Sequence, residues 1–433
     1  MINSVFKRAA DSPVRSFDWS AGLVQSGINV ARAGSATFVG SNSLIQSALQ
    51  DTQRIDWSNG YPALLVEGSA NNYLQDNLIQ NSVGTTGANN VWFMSSNMFV
   101  TNNAGVSPDG TSNAALVAIT TNTSFKAIQH WTNRSVTGNY TLTFYVKPNG
   151  SDANCSLRFA SSSSYASYMQ YAFSLSGSGS VGAASFAGSD VSEAASPYIR
   201  SVGNGWYKIK ISANVSSATN ISMVLFPGTR SAQTVNSSLF FWGAQLEDGT
   251  DETSLIFTTN ATGTRNADVV TLSNFADFWR AGKGSALVRA RPSTVAGIRP
   301  LIQFDDGTAD NIIALRGNNT NPELYVRTGG VDQAQIDAGT IAANTSYRLA
   351  GAWAENSCAA SLNSGTPVLD GVATIPTVTQ ARLGSDGTNY LNGHIEAIEY
   401  YDERIPNSGL QVVSSAAGYQ SIIGSVFRDA IIS

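Results

Sequence analysis

Charge is scarce in this chain. Asp, Glu, Lys and Arg make up 13% of its 433 residues, against about a quarter in ordinary soluble domains. Ser, Thr, Asn and Gly take their place. Disorder is excluded, because 42% of the chain is apolar and aromatics are frequent. The formal net charge of −5 leaves no basic excess, which argues against nucleic acid and anionic membrane as partners. Cysteine is nearly absent. Cys155 and Cys358 are far apart, and no CxxC or Cys/His cluster offers a structural zinc site. They read as two buried free thiols, a disulfide being the alternative. No apolar run approaches the ~20 residues of a membrane span, and the first eight residues lack the apolar core of a signal peptide. Heptads, collagen triplets and hexapeptide repeats are all missing, so neither a coiled-coil stalk nor a β-helix is expected.

What is present is strand alternation. In Tyr140–Val146, Tyr140, Leu142, Phe144 and Val146 face one way, with Thr141 and Thr143 opposite. Residues 205–215 repeat the pattern, with Tyr207, Ile209, Ile211 and Ala213 inside and Lys208 and Lys210 outside. Residues 221–226 and 239–246 add strands, and Trp206 and Trp242 read as buried. Farther on, residues 285–291, 300–304, 311–315, 323–326, 347–353 and 381–384 are further candidates. Many short strands between Gly, Ser and Asn turns predict an all-β protein of two consecutive antiparallel sandwiches. The expected division is a short irregular region over 1–75, a sandwich over 76–250, an exposed linker over 251–267, a second sandwich over 268–415 and a tail over 416–433.

The segment Leu391–Leu410 is the most informative. Asn392 and Gly393 form a turn dipeptide, since both tolerate positive φ. Ile395, Ala397, Ile398, Tyr400 and Tyr401 follow, and their alternation slips by one, which predicts a β-bulge or a strand covered on both faces. Asn407 or Ser408 is placed to cap a short helix. This segment resembles the closing strand of the concanavalin A-like (laminin-G-like) sandwiches of bacteriophage virion proteins. Earlier pieces agree: residues 32–38, 53–57, 62–67 and 71–74 resemble the "RASxATY…PRIDY…GLLVExxRTNLL" lead-in of phage tail and fibre proteins. Gln53 stands for the usual Pro, and Ala70-Asn71 for the usual Arg-Thr. Residues 253–269 resemble the bridge "TSYIPTxGATxTRAADV" of the same proteins. Residues 107–111, 144–148, 203–207 and 241–247 are similar to jelly-roll modules of the carbohydrate-binding type.

The search for chemistry yields little. His130 and His394 are the only histidines, neither lies in a nucleophile motif, and both read as satisfied structural residues. Glycoside hydrolysis needs two carboxyl groups roughly 5–5.5 or 6.5–9.5 Å apart. Some concanavalin-like glucanases carry theirs as Glu-x-Asp-x-x-Glu. Here Ile398 and Tyr401 stand where that pattern, begun at Glu396, needs Asp and Glu, and the spacing of Glu396 and Glu399 puts them on opposite faces of a regular strand, unless a bulge intervenes. Asp305, Asp306 and Asp310 fit either a calcium loop or, more simply, a hairpin turn; no other cofactor is suggested. Sugar rings offer apolar C–H faces beside hydroxyls, which suits exposed aromatics near polar side chains. Trp131, Tyr165 and Tyr168 are the candidates, each weighed against a plain packing role.

The resemblance implies a non-enzymatic bacteriophage virion protein, a tail fibre or spike subunit made in the host bacterium and displayed on the particle exterior. Its expected partners are other virion proteins and a host cell-surface glycan, and its expected assembly a homotrimer, in which weak sites gain avidity. The alternatives are a head fibre, capsid decoration or tail adaptor with a purely structural role, and, third, a glycan hydrolase.

Overall fold

The computed structural model describes residues 13–79, 92–121, 125–132, 137–150, 152–218, 220–235 and 237–415. The expected tail over 416–433 lies outside them. The protein is all-β, with sandwiches of antiparallel sheets. Its contacts divide into two units, and neither is a continuous stretch of sequence.

One unit comprises Ser35–Ser47 and Ser69–Arg265. A six-stranded sheet runs Val191–Gly203, Trp206–Val215, Gly138–Asn149, Ser238–Asp248, Ala114–Ile119 and Met98–Gly105. A second runs Ser180–Ala187, Tyr168–Ser174, Asn154–Ala160, Ile221–Pro227, Ile128–Thr132 and Trp92–Met94. The alternation read from sequence holds: Tyr140, Leu142, Phe144, Val146, Tyr207, Ile209, Ile211 and Ala213 all enter the core. Asn204 and Gly205, both at positive φ (52° and 78°), close the hairpin between Val191–Gly203 and Trp206–Val215, the backbone that a two-residue turn requires. Lys208 does face away from the core, yet it is buried, in an ion pair with Glu252 at 3.2 Å.

The other unit takes the described residues up to Gly34, Ala48–Gly68 and those from Asn266 onward. Its first sheet orders Val368–Asp370, Cys358–Leu362, Tyr347–Ala354, Lys283–Pro292, Gly393–Tyr401, Ala63–Val66 and Ile55–Asp56, with Arg15–Asp18 also on Gly393–Tyr401. Its second orders Ile28–Ala31, Val269–Leu272, Gln380–Leu383, Ile298–Asp305, Ile312–Asn318, Asn321–Thr328 and Val331–Asp337. Phe17, Trp19, Ile28, Ile55, Leu64 and Val66 sit in one core with Val288, Phe304, Trp353 and Tyr400.

Two expectations are corrected here. Residues 13–75 are not an irregular lead-in: they supply strands to this unit and, through 35–47 and 69–75, to the other. Their strands run only two to four residues, too short for alternation to show. Nor is 251–267 an exposed linker. Leu255 and Ile256 are buried, and the Asn72 and Asn77 amides both donate to the Ile256 carbonyl at 3.0 Å.

Three charged residues of the lead-in segments, Arg32, Arg54 and Glu67, meet Asp268 of the bridge segment in one buried cluster. Asp268 accepts from Arg32 Nη1 at 2.7 Å, from Arg54 Nη2, and from the Glu67 backbone N–H at 2.9 Å. Arg54 Nη1 pairs with Glu67 at 2.7 Å. Burial works against the Arg54 charge, but Glu67 and Asp268 more than offset it and raise its pKa above the ordinary arginine value. These motif positions therefore serve to join segments distant in sequence.

Candidate functional site

Gly393–Tyr401 is where catalysis would be sought first. Its register against Lys283–Pro292 shifts between Ile395 and Ala397, so Glu396 is the extra residue of a bulge. The predicted slip is present. Ile395, Ile398 and Tyr400 enter the core, which turns both Glu396 and Glu399 to the outer face. The expectation of opposite faces is thus overturned by the bulge. Both carboxylates already have partners. Glu396 pairs with Arg289 and accepts from Tyr61 Oη at 2.9 Å and from Ser346 Oγ at 2.5 Å. Glu399 accepts from Tyr401 Oη at 2.5 Å, and burial raises its pKa. Helix Asn407–Val413 covers this face, packing Leu410 with Leu287, Ala350 and Tyr401. Pro406 occupies the position before the helix, and no side chain caps it, so neither Asn407 nor Ser408 acts as a cap. Asn392 has the expected positive φ of 43°. Gly393 does not; a Cβ there would lie 2.6 Å from the Arg291 carbonyl, so close strand approach requires the glycine.

The other candidates resolve similarly. Asp305 is buried, paired with Arg382 at 3.1 Å and accepting from Gln303 Nε2 and the Gly307 N–H. Asp306 accepts from Thr308 and from Asn311, and the Asp310 carbonyl accepts from Gly330. The three aspartates build a turn. Among the described residues no group of three or more His, Cys, Asp or Glu is placed to hold a metal ion. His394 is satisfied, with Nε2 3.0 Å from Asp56 and Nδ1 3.1 Å from Asn59. His130 is structural but not satisfied: both ring nitrogens are buried without a hydrogen-bond partner, its ring meets Trp92 edge-on at 5.0 Å, and burial lowers its pKa to about 4. Cys155 and Cys358 are free and buried, and burial pushes the Cys358 thiol up to about 11, which keeps it protonated.

The remaining face carries a different kind of site. In the sheet containing Tyr168–Ser174, core and outer residues alternate strictly. Cys155, Leu157, Phe159, Met169, Met223 and Leu225 point inward. Arg158, Tyr168, Gln170, Val224, Phe226, Gln129 and Trp131 therefore share the outer face. Register places Trp131 opposite Ser222, Ser222 opposite Ala160, and Ala160 opposite Tyr168. Tyr165, at a positive φ of 56°, folds over from the connection before Tyr168. Its hydroxyl reaches Gln129 and accepts from Trp131 Nε1 at 3.3 Å. The three aromatics singled out from sequence thus lie on one face, half-buried.

At their centre is a residue that sequence reading passed over. Arg158 lies 3.8 Å from the Tyr168 ring centroid and 5.8 Å from that of Tyr165, the cation–π range. Its Nε and Nη2 both donate to Gln170 Oε1, at 3.1 and 2.9 Å. Arg230 packs on Phe125 at 4.1 Å, and both guanidinium groups approach the Phe226 ring, at 5.4 and 5.9 Å. Burial, with the nearby Arg230 charge, pulls Arg158 down to about 10, so it stays charged at neutral pH. One signal was legible: Arg158 is the only cationic side chain between Lys147 and Arg200. The face offers ring surfaces, amide groups and fixed positive charge. Rings, amides and a fixed charge of this kind suit the holding of a polar ligand.

No protein-family model matches the chain, and no curated protein matches it. Solved structures show partial likeness. The Ruminococcus gnavus IT-sialidase CBM40 bound to alpha2,3 sialyllactose is 18% identical, with a TM-score of 0.27 over 32% of this chain and 86% of that one. Domain 4 of AbnA, a GH43 extracellular arabinanase from Geobacillus stearothermophilus, in complex with arabinotriose, is 14% identical, with a TM-score of 0.28 over 34% of this chain and 73% of that one. A SAP-like pentraxin from Limulus polyphemus is 12% identical, with a TM-score of 0.25 over 32% and 71%. Likeness of this extent assigns neither ligand nor activity to this chain.

Proposed function

We propose that this is a non-catalytic bacteriophage virion protein, a tail fibre or spike subunit, that adheres to host-surface glycans. The outer face bearing Trp131, Tyr165 and Tyr168 is the binding face. The observation that carries this is the gathering of those three rings around Arg158 and Gln170, outside the core, in a unit where most other large aromatics are buried. Ring faces take the C–H side of a sugar, while the amides of Gln129 and Gln170 and the tyrosine hydroxyls take its hydroxyl groups. The viral part of the reading rests on the sequence resemblance, as do the proposed homotrimer, the contacts with other virion proteins and the position on the particle exterior.

The test is adsorption. Purified protein is expected to bind host cells and to block infection by the corresponding phage, and both effects are expected to fall with Trp131→Ala. A purely structural role is the second reading, favoured by one observation: Val331, Val368, Leu369 and Val372 are all exposed, on and beside two edge strands of the other unit. Protein that ignores cells but decorates particles lacking it would favour that role and contradict adhesion.

A further inference from the structure

Arg158 presents an electrostatic anomaly. The chain has more acids than bases, 30 against 25. Arg32 and Arg54, as deeply buried as Arg158, are each held by carboxylates. Arg158 is 5% exposed, and its hydrogen-bond acceptor is a neutral amide. No carboxylate pairs with it among the described residues. Arg230, half-buried beside it, stands over the Phe125 and Phe226 rings, and no carboxylate pairs with it among the described residues. Two like charges on one face repel each other, and burial costs each of them solvation. An arrangement of this kind gains most from a bound anion, which would satisfy the free N–H groups and supply the missing counter-charge together. Ser222 Oγ, on the same face and also buried without a partner, adds a further unused polar group.

We infer that the face selects an acidic sugar, whose ring lies against Tyr168 and Trp131 while its carboxylate meets Arg230 and the Nη1 edge of Arg158. This rests on the glycan-binding reading above and narrows it to carboxylated pyranosides. Gln170 is the positioning residue: by holding Nε and Nη2 it leaves the opposite edge of Arg158 for the ligand. Neutral glycans would leave both guanidinium groups uncompensated, so discrimination against them follows from the buried charge itself.

The test is calorimetric titration of the full chain with galacturonic and glucuronic acid oligosaccharides, each paired with its carboxyl-reduced neutral form. At least one acidic probe is expected to bind, with affinity falling at least tenfold on carboxyl reduction and again as salt is raised. Arg230→Gln and Arg158→Gln should each weaken the acidic probe at least tenfold, and each should weaken it more than it weakens the neutral form. Arg158→Lys, which keeps the charge, checks for misfolding; it should fold as the parent does and retain more acidic-probe affinity than Arg158→Gln. Equal binding of acidic and neutral forms, or an unaffected Arg230→Gln, would overturn the acidic-sugar inference and leave glycan binding standing. Failure of every acidic and neutral probe to bind would overturn both.

Discussion

At the scale of single residues, buried polar groups separate structural from binding roles. His130 is held neutral in the core, and its pKa is lowered from an ordinary 6.5 to about 4. Below pH 6.5 the unfolded chain takes up a proton that the folded chain refuses, so stability is complete above that pH and is lost as pH falls toward 4. The full loss is about 3 kcal/mol at roughly 1.4 kcal/mol per unit. His130→Leu is expected to flatten this part of the curve, measured by urea unfolding at pH 7, 5.5 and 4. Asp268 makes the contrasting case, because it is the shared acceptor for two buried arginines. Asp268→Ala leaves both charges short of a partner, and a loss of about 3–5 kcal/mol is expected, read as a drop in urea midpoint. Little of this was legible in sequence. Arg32, Arg54, Glu67 and Asp268 span more than two hundred positions, and as residue types they suggest a solvated surface. Arg158 was missed for a similar reason: one cation on an alternating strand ordinarily points into water.

At the scale of elements, long strands were easily read and short ones were not. Gly138–Asn149 and Trp206–Val215 show their alternation plainly because one face of each is core. Arg15–Asp18, Ile28–Ala31, Ile55–Asp56 and Ala63–Val66 are too brief for a period to emerge, yet they complete both sheets of their unit. Gly393–Tyr401 shows how they fit. Its outer edge is shared by Ala63–Val66, against Gly393–Ile395, and Arg15–Asp18, against Ala397–Tyr400, with the Glu396 bulge between them. The bulge was readable as a slipped alternation; its consequence, two glutamates on one face, needed the register. A chain cut to residues 268–415, the boundaries suggested by sequence, lacks all four short strands. It also loses Phe17, Trp19, Ile28, Ile55, Leu64 and Val66 from the core. At about 1.5–3 kcal/mol for each buried side chain, the loss is on the order of an entire domain's stability. That fragment is expected to aggregate or to melt without a cooperative transition, whereas the full chain melts cooperatively; circular dichroism with heating distinguishes the two.

For the whole molecule, the segments that carry the family resemblance and the residues that suit a ligand are different sets. The lead-in motif supplies a buried ion-pair cluster, and the Leu391–Leu410 segment supplies a central strand and the helix that covers it. These stretches hold the fold together. The proposed binding face lies in the other unit, where rings and arginines stand on an outer sheet surface. Glycan adhesion through that face is best tested by probing a glycan array with the purified protein beside its Trp131→Ala and Tyr168→Ala variants. The parent is expected to bind a restricted set of glycans, with each variant at least tenfold weaker on the same set and unchanged in melting behaviour. A parent that binds no glycan, or variants that bind as the parent does, would contradict it.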